Sequence, residues 1–403
     1  MWIETVDGEK IFDWAGYYGS RLLGHNHPGM REPEYIEALV IAANNKLANP
    51  DFLTPECIEY YRKLYELAPK CIKSPQLEIY AVNSGAEAVE NLMKYFINLH
   101  ESKQAQLGKP RGVRRIIYFE QAFHGRTIFT LNITQLTHVP QITKDFEQMV
   151  LGNIQVPFPA IDTSKSEEEN LKSISDCLKI IKEQVELYPG EVVAIIVEPI
   201  QGAGGHRITY PIFFQELSKI AHDNDIYLGF DEVQTAGGQT GQTFMVDSLD
   251  LPYPPQGIAT GKKFANGVIF MYHPMADIGI LDSTWGGNLA DMVRFCQERK
   301  IVEREKLIEQ VPVKTEILLQ CLNNLKSRYP GKICNIRGMG LYQGFSLSNP
   351  EKLNLFIDYA LEKEGLLLLE AGTDTVRLRP VLDVTIQEIK LLEEKLDKCF
   401  ARI

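Results

Sequence analysis

Apolar runs at 116–119, 192–197, 226–230 and 267–272 are bounded by turn or charged residues and are rich in β-branched side chains, so each predicts a strand. The run at 192–197 has no polar alternation, which predicts burial on both faces, as in a parallel sheet covered by helices. Between the runs, Val89, Leu92, Met93, Phe96 and Ile97 follow the i, i+3, i+4 spacing of an amphipathic helix, as do Phe213, Leu217, Ile220 and Ala221. Strands alternating with helices define an α/β unit with a mostly parallel sheet. Beyond about residue 291 the texture changes. A helical stretch at 306–329, a strand at 340–347, a helix at 350–364, apolar pieces at 366–369 and 376–378 and a closing helix from Thr385 predict a smaller α+β unit. Strand-like pieces at 2–6 and 10–14 are too few to bury a core alone. The expected organisation is an N-terminal segment (1–45) packing with the small domain, a large domain (46–290) and a C-terminal small domain (291–403). The polar stretch 157–170 reads as a surface connection.

The 403 residues, 44% hydrophobic and 24% charged, supply ample core. With 42 Lys and Arg against 53 Asp and Glu, the net charge is −11. Such a surface argues against non-specific binding to nucleic acid or anionic membranes. No apolar run approaches the roughly 20 residues of a membrane span, and the start lacks the pattern of a secretory signal. Seven scattered cysteines with no C-x-x-C pair suggest neither a disulfide framework nor a zinc site and fit a reducing cytoplasm. His25 and His27 offer only two ligands, so no metal is expected.

Three segments carry candidate chemistry. Asn83-Ser84-Gly85-Ala86-Glu87 leads from a short apolar run into the helix at 89–97, where unpaired N–H groups and the helix dipole suit a phosphate. Alone, such small residues more often serve as a cap. Asp231-Glu232 closes the run 226–230, and ligands of open α/β sheets bind beyond strand carboxyl ends. Alone, the pair reads as a solvated turn. In Gly261-Lys262-Lys263, a buried lysine would lose its proton readily and form an imine with a carbonyl; an exposed lysine pair is the common alternative. Their order gives them weight. Ala122-Phe123-His124-Gly125-Arg126 lies between the first two, and Lys262 follows Asp231 by 31 residues. A phosphate cradle, an aromatic cover, a carboxylate that keeps a pyridine nitrogen protonated and a lysine that holds an aldehyde are the parts of a pyridoxal phosphate site.

Those segments, Ala-Phe-His-Gly-Arg-Thr at 122–127, Glu-Pro-Ile-Gln-Gly at 198–202 and Asp-Glu-Val-Gln-Thr at 231–235 among them, resemble class III pyridoxal-phosphate aminotransferases. Ser-Thr-Trp-Gly-Gly-Asn at 283–288, Arg-Gly-Met-Gly-Leu at 337–341 and Ala-Gly-Thr-Asp-Thr-Val-Arg-Leu-Arg-Pro at 371–380 resemble the L-lysine 6-aminotransferase branch, with 4-aminobutyrate aminotransferase close behind. The resemblance runs from Gly24 to the last helix and implies the fold type I of PLP-dependent transferases. It implies that Lys262 forms the imine and shuttles protons, that Asp231 pairs with the pyridinium nitrogen, and that Gln234 contacts the ring hydroxyl. Ser84, Gly85 and Ala86 would cradle the phosphate, with Phe123 stacked on the ring and His124 beside it. Thr284 would reach the phosphate bound by a neighbouring subunit, giving a homodimer with shared sites. Arg126 and Arg377 are the implied carboxylate clamps for the amino donor and 2-oxoglutarate, and Glu198 lies near the site. Lys263 is the rival of Lys262.

The implied activity moves the terminal amine of L-lysine, or a similar ω-amino acid, to 2-oxoglutarate. Another class III aminotransferase or a class III-fold racemase or mutase is the alternative, and a catalytically dead binding module is the blandest one. Three departures bear on substrate choice. Ala203 stands where the family usually has a Glu that covers the Arg at position 377, Gln256 stands where an Asp is usual, and the start close to the first strand implies a short or missing N-terminal arm.

Overall fold

The computed structural model describes residues 1–146, 149–150 and 152–402. Two short strands open the chain, β1 (Trp2–Glu4) and β2 (Lys10–Asp13). The central sheet is built from β3 (Glu78–Val82), β4 (Arg115–Phe119), β5 (Ile154–Val156), β6 (Val192–Val197), β7 (Tyr227–Asp231), β8 (Gly257–Thr260) and β9 (Gly267–Met271). Their order is β3-β9-β8-β7-β6-β4-β5. Only β9 runs against its neighbours, so β3 to β8 all point their carboxyl ends at one edge of the sheet.

Both faces of the sheet are covered. Ile195 and Val197 of β6 join the apolar cluster that holds Phe213 and Leu217 of helix Pro211–Asp223. Ala194 and Ile196 join Val89, Leu92 and Phe96 of helix Gly85–Gln106 on the other side. Every residue of β6 is buried, the condition under which a strand loses its polar alternation.

A second sheet, in the order β10-β11-β14-β13, comprises β10 (Ile333–Met339), β11 (Tyr342–Leu347), β13 (Leu369–Ala371) and β14 (Thr375–Leu378). The remaining strand, β12 (Leu366–Leu367), pairs in parallel with β2. Phe12, Trp14, Leu22 and Leu23 thereby share a core with Phe345, Phe356, Leu396 and Phe400.

Three boundaries differ from those read off the pattern. The stretch predicted from 306 starts only at Val311, after a break in which Lys306 adopts a φ of 51°. The helix before it, Leu289–Arg304, was hidden in the change of texture. Its Met292 and Phe295 belong to the large core, and its Ile301 and Val302 belong to the small one. The polar stretch at 157–170 is anchored rather than loose, because Phe158 is buried against Phe119 and Phe213. At its end Ser166 and Glu169 form a capping box for helix Glu167–Leu187.

Candidate active site

The carboxyl edge of the sheet collects the polar residues. Ser84 follows β3, His124 follows β4, Glu198 follows β6, Asp231 ends β7, and Lys262 stands two residues past β8. Strand ends at this edge are where open α/β sheets bind ligands. Ser84 caps helix Gly85–Gln106 by accepting from the Glu87 amide at 3.2 Å. Among the described residues the Gly85 and Ala86 amides have no protein partner, so they are available to an anion. The turn is pressed against the rest of the site. A Cβ on Gly85 would lie 2.6 Å from a Val233 methyl, and one on Gly261 would lie 3.0 Å from the Gly85 Cα. Only glycine permits that approach, and it joins the helix start, the loop after Asp231 and the lysine loop.

Asp231 is buried. Its Oδ2 lies 2.7 Å from His124 Nδ1, and its Oδ1 accepts from the Val233 amide at 2.9 Å. Burial pulls the His124 imidazole down, but the Asp231 hydrogen bond and charge, with Glu198, outweigh it and hold the group above its ordinary range. Glu232 faces the opposite way, as strand alternation requires. It accepts from the Met245 and Val246 amides and from the Thr235 hydroxyl, so it is a structural anchor. Glu198 accepts from the Phe123 amide at 2.9 Å. Burial pushes its carboxyl up to about 8 and Asp231 adds to the rise, while His124 and Lys262 oppose it.

The two lysines have different surroundings. Lys263 is buried and donates to the carbonyls of Gly19 and Gln234 and to the Tyr342 hydroxyl. Lys262, in a left-handed conformation (φ 48°) that L residues avoid, gives its Nζ to the Tyr18 carbonyl at 3.2 Å. Burial, then Arg377 and Arg379, lower its amine to about 8 against the pull of Asp231 and Glu198. A lysine tuned this way offers a free base near neutral pH.

Arg377 sits at the end of β14, buried, and no carboxylate pairs with it among the described residues. Its Nε has no partner. Position 203, half-buried in the turn between Gln201 and Arg207, is Ala and offers none. Arg126 and Thr284 are exposed in the single chain, outside this cluster. Gln256, at the start of β8, accepts from the Leu228 amide of β7 at 2.8 Å and donates to the Pro254 carbonyl, a structural duty. His25 bonds Asp13, and His27 accepts from the Gly29 amide.

Sequence reasoning missed Arg379 and His206. Arg379 is fully buried and donates to His206 Nδ1 at 2.8 Å and to Gln234 Oε1 at 3.2 Å. The available signal was the spacing of two from Arg377 at a strand end, which places both arginines on one side.

A strand-edge cleft with a helix-start anion cradle, a buried carboxylate fixed by histidine and a depressed lysine is the residue set that pyridoxal phosphate requires. The family described as Aminotransferase class-III matches residues 1–400, and the chain belongs to it: it is a pyridoxal-phosphate-dependent transaminase of fold type I. It is 30% identical over 401 residues to the L-lysine-epsilon aminotransferase of Mycobacterium tuberculosis, covering 96% of this chain and 86% of that protein. It is likewise 30% identical over 402 residues to the acetylornithine aminotransferase of Agrobacterium fabrum, covering 97% and 89%. A solved lysine aminotransferase from M. tuberculosis, in the internal aldimine form, superposes with a TM-score of 0.91 at 27% identity, covering 99% of this chain and 92% of that one.

Proposed function

We propose that the protein is an ω-aminotransferase that takes the terminal amino group of L-lysine, or a similar ω-amino acid, and passes it to 2-oxoglutarate, yielding a semialdehyde and glutamate. The observation that carries this reading is Lys262, an amine lowered to about 8 at the sheet's carboxyl edge and within the field of Asp231, in a chain similar over nearly its full length to L-lysine-epsilon aminotransferases. When bound, pyridoxal phosphate supplies an aldehyde that accepts nitrogen and a protonated ring that draws electrons from the substrate carbon.

The chain's own residues do the rest. Lys262 would hold the cofactor and, as a free base, would move a proton to and from the carbon bearing the amine. Asp231, oriented by His124 and the Val233 amide, would pair with the ring nitrogen. Gln234 would meet the ring hydroxyl, Phe123 would cover the ring, and Ser84, Gly85 and Ala86 would take the phosphate at the helix start. Arg377 binds a carboxylate of the acceptor, and Arg126 binds that of the donor.

The site would be shared in a homodimer, with Thr284 contributed to the neighbour's phosphate. Ile36, Val40 and Ile41 of helix Pro33–Asn44, with Phe52 and Leu53, are exposed. Asn49 ties that region to the Thr284 loop through the carbonyls of Trp285 and Gly287. An apolar surface of this kind suits a second copy. Among the described residues no helix is long and apolar enough to cross a membrane, and the seven unpaired cysteines fit a cytoplasmic setting.

The test is a panel of donors with cofactor and 2-oxoglutarate. Glutamate formed from lysine or another ω-amine supports the proposal. Reaction with α-amino donors alone, or with acetylornithine in clear preference to lysine, refutes the lysine assignment, and turnover without a keto acid points to a racemase or mutase.

A further inference from the structure

Three side chains far apart in sequence form a relay behind the site: the buried His206 and Arg379 and the half-buried Gln234. The Arg379 guanidinium lies over the Tyr342 ring, 4.5 Å from its centroid, and has no carboxylate partner among the described residues. A guanidinium can only donate. The atom of Gln234 that meets it must therefore be the carbonyl oxygen, which removes the usual ambiguity of an amide's orientation. For the same reason His206 accepts through Nδ1, in keeping with an imidazole that burial and three arginines push well below its ordinary range. The carbonyl end of Gln234 is also confined by Gly202, where a Cβ would collide with Oε1. The NH2 end is left on the opposite side, in a long 3.5 Å contact with the Tyr18 carbonyl, the acceptor that Lys262 Nζ also uses.

We infer that Arg379, with Gly202, is a positioning device that locks the Gln234 amide so that its NH2 group faces the lysine side of the site as an obligatory donor. The ring oxygen beside the cofactor's aldehyde is the group such a donor would meet, and an amide donor favours its ionised form. This inference rests on the proposed cofactor site and adds a residue that touches neither cofactor nor substrate.

The test compares wild type, Arg379→Met, Arg379→Lys, Gly202→Ala, Gln234→Met and the Arg379→Met/Gln234→Met double variant, each loaded with pyridoxal phosphate. The readouts are the visible absorbance and its pH midpoint, and the rate of cofactor release. The groups around Lys262 that set the midpoint are Asp231, Glu198, Arg377 and Arg379, with His124 behind the carboxylates. Arg379→Met and Gln234→Met are each expected to release cofactor on the order of tenfold faster and to shift the absorbance in the same direction. The double variant is expected to be no worse than either single one, and Arg379→Lys to recover part of the loss. If Arg379→Met does not fold, Gly202→Ala carries the test, since it displaces the carbonyl end without touching the arginine. Additive effects in the double variant, or a wild-type spectrum in both Arg379→Met and Gly202→Ala, would overturn the inference. A wild type that binds no cofactor would instead overturn the reading of the site itself.

Discussion

His124 Nδ1 lies 2.7 Å from Asp231 Oδ2, with both side chains shut away from solvent at the centre of the sheet's carboxyl edge. Removing the histidine leaves a buried carboxylate whose only partner among the described residues is the Val233 amide. His124→Leu should therefore lower the stability of the cofactor-free protein by about 3–5 kcal/mol in denaturant unfolding. Because the imidazole is held above its ordinary range, its contribution is complete below the unfolded value and fades as pH rises through the folded one. The variant should lose that pH dependence. A loss no larger than a surface substitution, about 0.5 kcal/mol, would refute the pairing.

The Lys262 amine is lowered to about 8 from the ordinary 10.5. Only the free base attacks an aldehyde, so cofactor recapture by the stripped protein should accelerate with pH to a midpoint near 8. Stopped-flow absorbance across pH 6 to 10.5 measures it, and a midpoint above 10 contradicts the assignment.

Glu198 titrates at about 8 because burial favours its neutral form. A raised carboxyl contributes stability that is complete below the ordinary carboxylate range and is lost as pH rises through the folded value. Glu198→Gln keeps the acceptor for the Phe123 amide. It should match wild type near pH 4 and become steadily the more stable protein as pH rises to 8. Parallel melting curves at both pH values would refute the burial argument.

Arg377 is buried with no carboxylate partner among the described residues, so on the proposed reading a dicarboxylate acceptor would meet an uncovered cation. Arg377→Ala should raise the KM for 2-oxoglutarate by about one to two orders of magnitude, with kcat affected less. Unchanged acceptor kinetics would assign that carboxylate to another residue.

Much of this arrangement is written locally in the chain. The unbroken apolar run of β6 reports its two covered faces, and Asp231 stands where β7 must end because the apolar run stops there. The reversed direction of β9 is less obvious, since its five buried residues read like those of a parallel strand. The sign is the short connection from Thr260 to Gly267, which leaves no room for the helical crossover a parallel pair needs. The break at Lys306 holds no proline or glycine of its own, and the mark the chain does offer is Pro312, in the first turn of the helix that follows. The relay through Arg379 is harder still. Its partners His206 and Gln234 lie 173 and 145 residues away, so no local periodicity couples them. The distinction between Lys262 and Lys263 likewise depends on Gly19, Tyr342 and Tyr18, all brought in from remote parts of the chain.

That distinction is the point on which the account turns. Borohydride reduction of the cofactor-loaded enzyme, followed by digestion and mass spectrometry, fixes the attachment covalently and locates it. The prediction is a phosphopyridoxyl group on Lys262 alone. The same group on Lys263 or another lysine, or none anywhere, would contradict it.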